Sequence, residues 1–364
     1  MTPLDSLRSP GASRRGYIDW LRGVSVLIMI EAHTLDAWTR LDARHNAVYG
    51  WAMVIGGFAA PAFLFLAGIA LALAAGSRVR RGKTSTEAAA LARRRALQIF
   101  GLAFLFRLQS WVISGGDPVQ ALLKVDILNV MGLSMLAAAL LWSAGRGRWD
   151  RLAWMAAATV VVAMVTPIVR TTPLLSPLPD PIEWYIRPIP GRGTFTLFPW
   201  GAFLLAGAAI GLWLDAARTP EAERRLNISF AGIGLALAAG GYAASFLPAI
   251  YRDSGFWTTS PTFFFLRLGI LIGSLPIAYV WNALWTGRSA LREFGHASLF
   301  VYWIHVELAY GSLSGPIHKQ LTLEQALVAY ALFSVALFAA AKLKDRLVDW
   351  WKQPRGPAFA GAAS

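Results

Sequence analysis

WAMVIGGFAAPAFLFLAGIALALAA, residues 51–75, runs for twenty-five positions without a charged side chain. As an α-helix it would be about 37 Å long, more than the roughly 30 Å hydrocarbon core of a bilayer. Working outward, runs near twenty residues long recur at about 18–38, 49–75, 93–113, 126–143, 151–169, 194–214, 228–250, 261–286, 297–313 and 323–342. Composition agrees, with 56% hydrophobic residues, only 15% charged and a mean hydropathy of +0.49. The fold class expected is all-α, a polytopic integral membrane helical bundle of about ten transmembrane helices. Many of the sixteen tryptophans stand at span ends, as in interfacial belts.

Sorting the 34 Lys and Arg into alternate loops sets an orientation. With the N terminus cytoplasmic, 23 fall in inside segments, eight in outside loops and three (Arg22, Arg107, Arg267) within spans. By the positive-inside rule both termini are cytoplasmic. The net charge of +14 then reflects topology and anionic lipid rather than nucleic acid.

Residues 1–16 read as a short disordered cytoplasmic tail, 17–345 as one transmembrane domain and 346–364 as a cytoplasmic C-terminal tail. No cleavable leader is read ahead of the first span, which is expected to stay as an anchor. The loop 170–193 holds six prolines with Asp180, Glu183, Arg187 and Arg192, which makes it stiff and polar, either a plain connector or an acceptor-binding rim. No internal repeat is evident, which disfavours transporter folds built from duplicated halves.

The first span departs from the rest by carrying charge. Asp19, Arg22, Val26, Met29, His33 and Asp36 share one face by i, i+3, i+4 spacing. Ionisable groups inside a bilayer are expensive and mark functional sites. Eleven residues separate Arg22 from His33, which returns to within roughly 20° of the same direction about 16 Å further along the axis. Asp19 can pair with Arg22, and Asp36 can support His33 from one turn further out. Other polar residues within spans are Arg107, Gln109, Asp126, Asn129, Arg267, Tyr302, His305 and Glu307. Singly each reads as a packing or snorkelling group; together they could line one cavity.

A histidine there can act as general base or accept an acyl group, and an arginine at the mouth can hold phosphate bidentately. That pairing suits a long activated donor such as an acyl-CoA. The basic loop Arg78, Arg80, Arg81, Lys83, Arg93, Arg94 and Arg95 adds attraction for nucleotide or serves topology alone. No Walker loop, dinucleotide fingerprint, HExxH or GxSxG occurs, and the absence of cysteine excludes disulfides and thiolate catalysis. The five histidines are scattered, so no metal site is expected.

Tyr17-Ile18-Asp19-Trp20-Leu21-Arg22-Gly23, continuing to Glu31-Ala32-His33, resembles the first helix of bacterial proteins with a heparan-alpha-glucosaminide N-acetyltransferase catalytic domain. Pro61–Gly68, Phe198-Pro199-Trp200 and Gly295–His305 fit the same family, over about residues 14–345. The spacing of Arg22 and His33 also matches related acyltransferase-3-type membrane enzymes. The resemblance implies transfer of an acetyl or other acyl group from cytoplasmic acetyl-CoA or another acyl-CoA to a sugar, glycan or similar acceptor on the outer face. It makes His33 the active-site histidine and Arg22 the donor-side arginine.

The expected site thus comprises His33, Asp36 and Asp19 as catalytic residues, Arg22 and Arg107 on the donor, and His305, Tyr302, Asp126, Asn129 and Arg267 at the acceptor. The alternatives are a proton-coupled transporter or flippase of a polar small molecule, and a scaffold whose buried charges only lock packing. Oligomeric state is open, because lipid-facing and subunit-facing apolar surfaces look alike in sequence.

Overall fold

The computed structural model describes residues 15–114, 118–193, 195–285 and 287–352. Most of the expected N-terminal tail, and the C-terminal tail beyond Lys352, lie outside the described residues. Arg15 and Gly16 are already structured: Gly16 opens the first helix, and Arg15 donates to the Leu214 and Ala217 carbonyls and to Glu223 at 2.7–2.9 Å.

The described chain forms thirteen α-helices. They are α1 (Gly16–Trp38), α2 (Ala47–Gly56), α3 (Ala59–Arg80), α4 (Ser85–Ser114), α5 (Ile127–Ala144), α6 (Arg148–Thr171), α7 (Asp180–Glu183), α8 (Leu197–Ala216), α9 (Pro220–Ala244), α10 (Pro261–Leu284), α11 (Ala290–His296), α12 (Ser298–Tyr310) and α13 (Leu323–Lys352). All ten apolar runs are helical, and among the described residues eight helices are long and apolar enough to cross a membrane. The two expected spans outside those eight are α1 and α12. α1 has the length, about 35 Å, but carries Asp19, Arg22, Glu31 and Asp36. α12 has thirteen residues, about 20 Å, because Gly311 caps it and a 3-10 segment containing Pro316 follows. The run 49–75 bends at Gly57 between α2 and α3, and α13 continues past 345 to Lys352.

At the centre lies α8, every residue from Gly201 to Leu212 buried beneath α3, α5 and α6. Such close approach needs small residues, since van der Waals packing must hold helices together in lipid. Gly68 and Gly207 supply it, each resting on the facing helix's backbone.

The two sorted sets of loops occupy opposite ends. At the end where both termini emerge, Arg15 meets Glu223, Arg80 meets Asp215, Arg151 reaches Ser85 and Lys342 pairs with Glu293. At the far end Thr39 bridges to Leu321, Val125 to Gly193, and Arg170 bonds Thr196.

α1 is clamped by α11. A Cβ on Gly23 would overlap the Leu291 carbonyl, and one on Gly295 would overlap the carbonyl of Asp19. Neither neighbour can yield, because both are helix backbone. Gly295→Leu is therefore expected to lower the thermal midpoint in detergent by about 5–10 °C, read by differential scanning fluorimetry.

Candidate functional site

Near the far end α1 and α12 bring two histidines together. His33 Nδ1 lies 2.7 Å from His305 Nε2, with the rings nearly coplanar at 4°. His305 is fully buried, and its Nδ1 stands 2.9 Å from the Val301 carbonyl and 2.8 Å from that of Tyr302. These contacts fix the protons. A carbonyl only accepts, so His305 Nδ1 carries the hydrogen and His305 Nε2 the lone pair. His33 Nδ1 must then donate, which leaves the lone pair of His33 on Nε2. The ring is oriented as a base or nucleophile by its partner, much as a third group orients the histidine in a catalytic triad.

Beyond this pair, Asp36 accepts from Tyr310 Oη at 2.8 Å and pairs with Arg44 at 3.5 Å. The Tyr310 ring stands edge-on to His33 at 5.6 Å. Asp36 thus bears on His33 through Tyr310 packing.

On the other side of His305, Tyr302 packs edge-on to its ring at 5.8 Å and donates to Asp126 Oδ2 at 3.5 Å. Asp126 caps α5, with Asn129 completing the capping box, and pairs with Arg107 at 3.3 Å. Asn129 donates to Tyr185 of the proline-rich loop at 3.2 Å. Tyr302, Asp126, Asn129 and Arg107 therefore form one network beside the histidines. Arg107, expected on the donor side with Arg22, belongs to this network at the opposite end of the bundle.

Asp19 and Arg22 lie at the end of the termini, where Asp19 takes Arg22 at 3.0 Å and His296 at 3.2 Å. Asp19 is fourteen residues from His33, about 21 Å along the helix, so its contacts position Arg22 rather than any atom near the histidines. Arg22 lines a cleft of about 1070 Å³ that gathers Arg15, Arg80, Arg81, Arg218 and Arg292 against three carboxylates, Asp19, Asp215 and Glu223. The excess of guanidinium over carboxylate gives the cleft a positive charge that favours anions. Between cleft and histidines the shared stripe is covered: Val26 and Met29 are buried in one cluster with Phe294, Ala297 and Val301.

Arg267 stands in a separate cavity of about 420 Å³ at the far end, beside Arg170 and five aromatic side chains.

The fold and site define a transmembrane helical protein with an oriented, half-buried histidine between two of its helices and a basic cleft at one end. Residues 14–242 match the family described as heparan-alpha-glucosaminide N-acetyltransferase, catalytic. The match covers more than half of the chain, which belongs to this family of transmembrane acetyltransferases. It contains Arg22, His33, Arg107 and Asp126 and ends before Arg267, Tyr302 and His305, a shorter reach than the resemblance over 14–345. No curated protein matches the chain.

Sequence reasoning missed Tyr310, Arg44, Tyr185 and His296 as site neighbours. Tyr310 follows His305 by five residues, a spacing that signals no shared helix face. The other three reach the site from outside the spans.

Proposed function

We propose that this protein is an acyl-CoA-dependent acyltransferase that carries an acetyl or other acyl group across a bacterial cytoplasmic membrane to a sugar-like acceptor, with both termini cytoplasmic. The observation that carries it is the His33–His305 pair, whose hydrogen bonds leave a lone pair on His33 Nε2. The diphosphate and ribose phosphate of the CoA occupy the arginine cleft. Its acyl arm extends toward His33, about 16 Å from Arg22 along α1, as the α11–α12 cover over Val26 and Met29 parts.

In the direct route His33 Nε2 takes the proton from an acceptor hydroxyl or amine as that atom bonds to the thioester carbonyl carbon. The C–S bond breaks and the CoA thiolate recovers the proton from His33. In the stepwise route Nε2 itself bonds to the carbonyl carbon and CoA thiolate leaves; the acceptor then bonds to that carbon as the C–Nε2 bond breaks, its proton passing by way of the freed Nε2 to the CoA thiolate. Both use the same lone pair. Asp19 holds Arg22 on the phosphates, while Asp36, through Tyr310, and the Arg107–Asp126–Asn129–Tyr302 network keep the two histidines in register.

The test is purified protein in nanodiscs with labelled acetyl-CoA and a panel of sugar acceptors. Label in an acceptor supports the reading. Acetyl-CoA left intact with every acceptor, together with solute uptake by proteoliposomes lacking donor, overturns it in favour of transport. A second expectation concerns the cleft. Arg22→Ala should raise KM for acetyl-CoA about tenfold with kcat changed less than about twofold, because phosphate binding is shared by ground and transition states; steady-state kinetics at fixed ionic strength check it.

A further inference from the structure

The far-end cavity contains an arginine that the protein itself leaves unused. Arg267 makes no hydrogen bond and no ion pair among the described residues, and its Nε is buried without a partner. Its guanidinium lies face-on to Phe263 at 4.0 Å and near Phe58 at 5.7 Å. Stacking on aromatic faces holds the plane while leaving the in-plane N–H donors open. A partly buried cation with unmade hydrogen bonds is costly in lipid-embedded protein, and a site that keeps one has a use for it.

Arg170 lines the same cavity. Its Nε and Nη2 donate to the Phe198 carbonyl at 2.9 Å and to Thr196 Oγ1 at 2.8 Å. Those bonds fix the group, and Nη1 has no acceptor among the described residues. Among the described residues no carboxylate lines this cavity, which sets two cations beside the rings of Trp200, Trp257 and Phe263 and under the Pro188–Gly191 turn.

The cavity also lies close to the histidine pair. A Cβ on Gly57 would stand 3.0 Å from Arg267 Nη2, and the preceding Gly56 rests on Ala32, the residue before His33. The α2–α3 junction thus touches both Arg267 and the turn of α1 that carries His33.

We propose that this cavity binds the acyl acceptor through an acidic group, carboxylate or phosphate, held by Arg267 and Arg170, with the acceptor's ring faces against the aromatic wall. The acceptor is thus a sugar acid or sugar phosphate and not a neutral sugar. The assignment rests on the acyl-transfer reading above.

Calorimetry on the full chain in neutral-lipid nanodiscs tests the site apart from the chemistry. Glucuronate and glucose 6-phosphate should bind at least about tenfold more tightly than glucose, and Arg267→Gln should abolish that preference while Arg267→Lys retains part of it. His33→Ala should bind them as the wild type does. In transfer assays Arg267→Gln should raise KM for the acidic acceptor and leave KM for acetyl-CoA unchanged. Equal binding of glucuronate and glucose by the wild type overturns the proposal, a result that stands even if Arg267→Gln fails to fold. Loss of the acid preference when anionic lipid is added, with no acid-dependent transfer, also overturns it and assigns the cavity to a lipid headgroup. Acid-selective binding without transfer to any acceptor leaves an anion site but overturns the acceptor assignment, and with it the acyl-transfer reading.

Discussion

Replacing His33 by alanine is expected to lower acetyl transfer by about 10³-fold or more, because the substitution removes the lone pair that both chemical routes require. The side chain meets α12, and among the described residues its one hydrogen-bond partner is His305. The donor cleft is formed by residues up to Arg22 on α1 and by residues of α3, α8, α9, α10 and α11. Affinity for CoA should therefore be unchanged, which equilibrium binding to the variant measures. A residue that only supported packing would behave differently, lowering the thermal midpoint with transfer falling in proportion. Incubating the wild type with labelled acetyl-CoA and no acceptor separates the two routes: retained label on the protein, absent from His33→Ala, identifies the stepwise one. Wild-type rates in the alanine variant would remove His33 from the chemistry.

The sequence made the membrane bundle legible because apolar runs near twenty residues have no other stable use, and the ten runs are the ten long helical segments found. It did not set where each helix ends: α12 stops at Gly311, a terminator that an apolar window does not weigh. On α1 the stripe from Arg22 to His33 followed directly from helical periodicity. What covers that stripe did not, since Phe294, Ala297 and Val301 come from a segment some 270 residues away. The same limit explains Arg107. Its position in a span was plain, but only the pairing of α4 with α5 shows that it faces Asp126 and the histidines. His305 was legible as an intramembrane histidine, while its role depends on two backbone carbonyls of its own helix, a geometry no residue pattern encodes.

That role carries the second large expectation. His305→Leu is expected to reduce kcat by about 10²–10⁴-fold while leaving both KM values within about threefold, since the residue holds the tautomer of His33 and touches neither substrate. Without an acceptor at His305 Nε2, His33 Nδ1–H loses its partner. The neutral imidazole is then free to move its proton to Nε2, which consumes the lone pair aimed at the substrate. Leucine fills much of the same volume in a site that is fully buried, so a loss of activity without loss of the folded state isolates the hydrogen bond. The discriminating variant is His305→Gln, whose Oε1 can accept from His33 Nδ1 and should recover at least about tenfold of the lost rate. The measurement is kcat for the three proteins across pH, with thermal midpoints recorded in parallel. If leucine and glutamine are equally inactive while both remain folded, accepting the hydrogen bond is not what His305 contributes. If leucine retains full activity, the tautomer of His33 is set by something other than the pair.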